Sequence, residues 1–318
     1  MKFRNLLFSL IKICLHSFPI IVLQIRINLQ HIVAKFKLKN IMFSLNCKGK
    51  LLFIDKLLLM SILNITDDSF YAGSRFENMD AIKSKAIQMM EEGVDILDIG
   101  AQSTRPQSKR LSPDDELKKL LPVIQMLTGL FPGVVISIDT YHSKVAKECI
   151  YAGAAIINDI SAGEMDKEMI SSVAALKAPY ICMHMKGVPE TMQLETQYEN
   201  VTKEVLDFFI KKIDECKQAG INDVIIDPGF GFGKNITQNF TLLKTLQVFQ
   251  ILGKPILVGV SRKSSIYKTL KIPVEDTLNG TTVLNTIALL NGASMLRVHD
   301  VKEAKQIITL LKKYDSVS

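Results

Sequence analysis

At 318 residues with 47% hydrophobic side chains, the chain can hold one large or two small domains around an ordinary globular core. Its formal net charge of +7 would suggest a nucleic-acid partner, but residues 1–41 hold seven Lys/Arg and no acid. Removing them from the total of 39 leaves 32 basic against 32 acidic side chains, so charge gives no support for a nucleic-acid-binding body.

Residues 1–41 are basic and rich in Leu, Ile and Phe. A signal peptide or membrane anchor would need a cleaner apolar run than residues 6–25, which Lys12, His16 and Pro19 interrupt. No A-x-A-like cleavage site follows. The expectation is an over-extended reading frame with translation starting at Met42; an anchor or a genuine extension are the alternatives. The five cysteines are odd in number and form no C-x-x-C pair. Cys149, Cys182 and Cys216 read as packed small hydrophobes in a reduced, cytoplasmic protein.

From residue 42 on, short apolar runs alternate with stretches of helical spacing. Strands are expected at 57–66, 94–102, 134–140, 155–160, 180–185, 223–227, 255–260 and 294–298. Helices are expected at 78–93, 112–131, 142–152, 167–176, 198–219, 237–252, about 274–291 and 301–314. The helix at 112 carries its own start signal, Ser112-Pro-Asp-Asp115: an N-cap, a proline and first-turn acids. Eight β/α repeats predict an α/β fold, a single-domain (β/α)8 TIM barrel over 42–318, with an open doubly wound sheet as the alternative.

Polar residues gather where the strands end: Asn64 and Thr66; Gln102, Thr104 and Arg105; Asp139; Asn158 and Asp159; His184; Asp227; Ser261, Arg262 and Lys263; Arg297 and His299. In a barrel these ends share one mouth. Each has a plainer reading. Asp139 and Asn158 suit turns or caps, Arg297 and His299 a rim ion pair, and His184 a hydrogen-bonded core position. His142 reads as a surface residue. No H-x-x-H or H-E-x-x-H spacing supports a zinc site. The glycines of Gly229-Phe-Gly-Phe-Gly-Lys234 look like a phosphate loop, but Pro228 and Asn235 stand where that motif needs Gly and Ser/Thr. Phe230 and Phe232 more simply shape the loop and a pocket wall. Lys263, Arg297 and His299 follow strands seven and eight, a frequent phosphate site. Together these residues suit a flat, amide-like heterocycle deep in the barrel and an anionic group at its rim.

Several motifs, in order, resemble dihydropteroate synthase, a pterin-binding barrel family. They are Ile62-Leu-Asn-Ile-Thr-Asp-Asp-Ser-Phe70, Asp98-Ile-Gly-Ala-Gln-Ser-Thr-Arg-Pro106, Ile138-Asp-Thr140, Ile157-Asn-Asp-Ile160, Met183-His-Met-Lys-Gly187, Asp227-Pro-Gly-Phe-Gly-Phe-Gly-Lys234, Ser261-Arg-Lys263 and Arg297-Val-His-Asp300. The resemblance implies condensation of (7,8-dihydropterin-6-yl)methyl diphosphate with 4-aminobenzoate. It implies pterin contacts from Asp139, Asn158, Asp227 and Lys263, with Phe232 at the substrate. It places Mg²⁺ on Asn64 and the diphosphate on Asn64, Arg297 and His299. Thr104, Arg105 and Ser261 go to the 4-aminobenzoate pocket. Asp139, Asp227, Lys263, Arg297 and His299 would carry the chemistry. A homodimer without nucleic-acid or membrane partners is also implied.

The family's Thr-Pro-Asp-Ser-Phe reads Thr66-Asp67-Asp68-Ser69-Phe70, an acidic position soon after is Ala72, and Gly-Glu-Ser-Thr-Arg-Pro-Gly reads Ala101-Gln-Ser-Thr-Arg-Pro-Gln107. These departures fall in loops and bear on amine or sulfonamide affinity. The rival readings are a methyltetrahydrofolate:corrinoid methyltransferase, which has no use for a diphosphate rim, and a non-catalytic pterin-binding relic.

Overall fold

The computed structural model describes residues 43–55, 57–65, 75–102, 110–189, 191–192 and 196–317. The chain divides into two units, and the described residues belong to the second, Met42–Ser318. The expectations for residues 1–41, Thr66–Ala72, Thr104, Arg105 and Gln107 lie outside the described residues.

Eight parallel strands form the sheet: β3 (Leu58–Asn64), β4 (Ile96–Gly100), β5 (Val135–Asp139), β6 (Ile156–Asp159), β7 (Tyr180–Met183), β8 (Val224–Asp227), β9 (Leu257–Val258) and β10 (Met295–Val298). They pair in the order β8-β7-β6-β5-β4-β3-β10-β9. A bridge between Ile226 and Ile256 brings β8 back to β9 and nearly closes the ring. The strands read as unbroken apolar runs because both faces are covered, one by helices and the other by the barrel interior.

The helices are α1 (Arg75–Glu91), α2 (Pro113–Leu130), α3 (Ser143–Ala152), α4 (Met169–Leu176), α5 (Val201–Ala219), α6 (Ile236–Lys244), α7 (Ser264–Leu270), α8 (Leu278–Leu290) and α9 (Val301–Asp315). At α2 the Ser112 hydroxyl accepts from the Asp115 amide, with Pro113 in the first turn, as the sequence signal required. The expected helices at 237–252 and 274–291 each begin or end in a 3-10 turn, at Leu246–Leu252 and Val274–Thr277. The short α7 has no counterpart among the expected helices.

A hairpin outside the expected elements, β1 (Phe43–Cys47) and β2 (Lys50–Ile54), precedes the barrel strands. Lys48 and Gly49 form its two-residue turn with φ of 53° and 85°, the left-handed pair that suits strand twist. Leu45, Cys47 and Ile54 pack with Leu58, Met60, Ile96, Ile225 and Met295 at the N-terminal end of the strands. The hairpin therefore plugs the end of the barrel opposite the expected mouth. Cys47, Cys149, Cys182 and Cys216 are buried and free, as the expected packing of the last three requires. His142 is half-buried at the start of α3 rather than on the surface, because its backbone caps that helix.

Candidate functional site

Side chains of a strand alternate between its faces, so the bottom layer predicts the layer above it. Ile96, Ile156, Ile225 and Met295 fill the lower barrel. Two residues farther along stand Asp98, Asn158, Asp227 and Arg297, which therefore point inward. Asp139 enters from the end of β5, next to Gly100 in register. A Cβ on Gly100 would lie 3.2 Å from the Asp139 Cβ, so the glycine makes room for that carboxylate. At Gly259 an added Cβ would meet the Arg297 Cβ at 3.7 Å, an ordinary contact.

Arg297 ties this layer together. Its Nε donates to Asp98 Oδ2 at 2.7 Å and its Nη2 to Asp139 Oδ2 at 2.6 Å. Asn158 Nδ2 donates to the same Asp98 oxygen at 3.0 Å. The other oxygen, Asp98 Oδ1, is buried with no hydrogen-bond partner among the described residues. A buried acceptor of that kind needs a donor from water or a ligand. Asp227 Oδ1 accepts from the Gly229 amide at 2.8 Å. Lys263 Nζ lies 2.6 Å from the Phe230 carbonyl and 4.1 Å above the Phe232 ring. At the rim, Ser261 Oγ and His299 Nδ1 are 3.0 Å apart, and Asn64 is exposed at the tip of β3.

Low dielectric sets the protonation states. Burial raises the Asp139 carboxyl against the pull of Arg297, and it raises Asp227 against the Gly229 amide and Lys263. Burial lowers the Lys263 ammonium to about 8, with Asp227 opposing. His299 is lowered to about 4 by burial and then by Arg297, so it is neutral at neutral pH. The Arg297 guanidinium stays charged: Asp98 and Asp139 overcome its burial.

Asp139, Asn158, Asp227, Ser261, Lys263, Arg297, His299 and Phe232 thus lie together at the C-terminal strand ends. Asp159 does not join them. It is the next residue after inward-facing Asn158 and so takes the opposite face. There it accepts from Ser161, Gly163 and the Tyr180 hydroxyl. Arg262 also turns away, pairing with Asp300. His184 is a buried, hydrogen-bonded core residue, its plainer reading. Asp98 was not singled out from the sequence. A lone carboxylate two residues after Ile96 within a buried apolar strand was the available signal.

A family model described as pterin binding enzyme matches residues 60–299. The dihydropteroate synthase of Escherichia coli K12 is 39% identical over 257 residues, covering 80% of this chain and 90% of its own. The chain belongs to the dihydropteroate synthase family of pterin-binding enzymes. Solved structures of this family agree in fold. The Xanthomonas albilineans dihydropteroate synthase with 4-aminobenzoic acid superposes with a TM-score of 0.81 at 35% identity, covering 86% of this chain and 99% of its own. The same enzyme in complex with 7,8-dihydropteroate gives a TM-score of 0.78 at 33% identity, covering 87% and 100%. The (β/α)8 barrel of this chain is the dihydropteroate synthase fold.

Proposed function

We propose that this barrel transfers the (7,8-dihydropterin-6-yl)methyl group from its diphosphate to 4-aminobenzoate, giving 7,8-dihydropteroate and diphosphate. The observation that carries the reading is the inward polar cluster: three carboxylates, an amide and two cations, with Asp98 Oδ1 lacking a partner among the described residues. A pterin's pyrimidine edge is a row of N–H donors beside carbonyl and ring-nitrogen acceptors. Carboxylates only accept, so Asp227 suits the N–H edge. Ammonium only donates, so Lys263 suits an acceptor of the ring. Asn158 can do either, and Phe232 offers an apolar wall.

The scissile C–O bond breaks with its electron pair passing to the diphosphate, and the amine lone pair forms the new C–N bond. The amine then loses its extra proton to solvent or to the departing diphosphate. Arg297 supplies fixed positive charge near the breaking bond, worth more in a dry well than in water. Neutral His299, oriented by Ser261, contributes a hydrogen bond rather than a charge. Asp139 and Asp227 stabilise the cationic character that develops on the methylene. An aromatic amine needs no strong base under these conditions, so the transfer does not call for a covalent nucleophile.

Mg²⁺ suits sites where the protein gives one or two oxygens and substrate phosphates give more. The exposed Asn64 amide fits that part, and among the described residues no cluster of three or more His, Cys, Asp or Glu offers a dedicated cage. When bound there, the ion would supply charge to the diphosphate. Thr104 and Arg105 are assigned to the 4-aminobenzoate side on the family resemblance alone. A cytoplasmic homodimer is the proposed setting; no described helix is long and apolar enough to cross a membrane. The test is an assay of the full chain with the pterin diphosphate, 4-aminobenzoate and Mg²⁺. Amine-dependent release of diphosphate with formation of dihydropteroate is expected; absence of both products would overturn the reading.

A further inference from the structure

Lys234 ends the glycine-rich loop whose spacing excludes a nucleotide phosphate site, and the transfer reaction gives it no task. It is nevertheless 3% exposed. Its Nζ sits 2.8 Å from His184 Nδ1, 3.0 Å from the Gly229 carbonyl, 2.9 Å from the Phe232 carbonyl and 3.2 Å from the His184 carbonyl. Three of these atoms are carbonyl oxygens, which can only accept. The imidazole nitrogen accepts as well when the ring proton is on Nε2. Four acceptors around one nitrogen match an ammonium with three protons better than an amine with two. Burial pulls the Lys234 pKa well below its ordinary value, while Asp227 pulls it up. Against that lowering, the four acceptors favour the ammonium over the neutral amine. His184 is kept neutral, pushed down to about 2 by burial and by the Lys234 charge, so its Nδ1 lone pair stays available.

This cage fastens a loop that also carries the neighbours of two inward-facing groups. Lys234 holds the carbonyls of Gly229 and Phe232 against the end of β7. Between them lies Phe230, whose carbonyl accepts from Lys263, and the Phe232 ring lies under the same ammonium. At the loop's start the Gly229 amide donates to Asp227. The fit is tight: Gly229 has φ of 70°, and a Cβ there would lie 1.9 Å from the His184 carbonyl oxygen. The loop therefore has one seat on β7, and Lys234 with His184 defines it.

We propose that Lys234, seated by His184, is a positioning residue for pterin recognition: it sets the loop that aims Lys263 and Asp227 at the heterocycle. The inference rests on the assignment of Asp227 and Lys263 to the pterin. Its signature is selective, because the loop supports one substrate's contacts. In the full-length protein, Lys234→Met keeps much of the bulk and removes the charge. Its KM for the pterin diphosphate should rise at least tenfold while the KM for 4-aminobenzoate stays within twofold. Equilibrium binding of the pterin diphosphate alone should weaken in parallel.

His184→Leu removes one acceptor, and a shift of threefold or more in the same substrate is expected. His184→Gln, which restores a side-chain acceptor, should recover binding to within threefold of wild type. These histidine variants decide the matter if Lys234→Met does not fold. Equal shifts for both substrates, or loss only in proportion to the folded fraction, would make the cage purely structural and overturn the proposal. Unchanged pterin binding in the folded variants would overturn it too. Asp227→Asn in the same assay separates the two readings. If it binds pterin like wild type, the pterin assignment itself fails; if it loses binding while the cage variants do not, only the Lys234 proposal fails.

Discussion

The Arg297 guanidinium reaches Asp98 across the barrel, Nε to Oδ2 at 2.7 Å, although 199 residues separate them in the chain. A charge held this way orients the inward layer, and losing Asp98 leaves it with only half of its buried carboxylate pairing, at Asp139. Asp98→Asn is therefore expected to lower stability by about 3–5 kcal/mol, the usual cost of breaking a buried pair on one side. Urea unfolding of the variant against wild type measures it. A loss under ~0.5 kcal/mol would mean that Asp139 alone satisfies Arg297.

Gly100→Ala tests the space beside Asp139. The added methyl would stand 3.2 Å from the Asp139 Cβ, and Arg297 holds that carboxylate in place. Small displacements of positioned groups cost up to ~100-fold, so a rise of roughly tenfold in the pterin diphosphate KM is expected with the fold intact. Steady-state kinetics beside circular dichroism would show it, and an unchanged KM would mean that Asp139 is not a pterin contact.

The pH profile should have an alkaline limb. Lys263 binds as the ammonium, and burial places its pKa at about 8, so kcat/KM for the pterin diphosphate should fall as pH rises through that value. Lys263→Arg, less active at every pH, should lack the limb because guanidinium keeps its proton. A limb that persists in the arginine variant would assign it elsewhere.

His299 predicts an acid-side effect on stability. Its pKa in the folded protein is about 4 against an ordinary 6.5, so between those values the unfolded chain binds the extra proton. The contribution is complete above pH 6.5 and is lost as pH falls toward 4, at up to about 1.4 kcal/mol per pH unit. His299→Gln should flatten that part of the curve. Unfolding free energies between pH 4 and 7 for both proteins give the comparison.

Asn64→Ala should raise the half-saturating Mg²⁺ concentration several-fold and leave pterin binding without metal unchanged. Titration of activity with Mg²⁺ separates the two effects. An unaltered Mg²⁺ dependence would move the metal away from β3.

Much of the fold was legible because parallel strands buried on both faces read as short apolar runs, and because Ser112-Pro113 announces its helix. The hairpin was not. Its two strands expose Leu51 and Phe53 while burying Leu45 and Ile54, so apolarity alone did not mark a sheet face. Within the site, Asp139, Asp227 and Lys263 stood out by ending strands. Asp159 ends a strand too, yet its adjacency to Asn158 puts it on the opposite face. The spacing around Lys234 speaks to phosphate loops but not to acceptors fifty residues away at His184. Contacts made across the barrel leave no local trace in sequence.

The hairpin packed beneath the strands closes the N-terminal end of the barrel, so the polar groups are reached from the C-terminal strand ends, like a well with a sealed floor. Traffic in such a vessel is last in, first out. If the heterocycle rests at the Asp98–Asn158 level and the amine nearer the rim, the pterin diphosphate loads before the amine, and the amine cannot be trapped underneath it. Inhibitors resembling the amine would then bind far better once the lower position is filled.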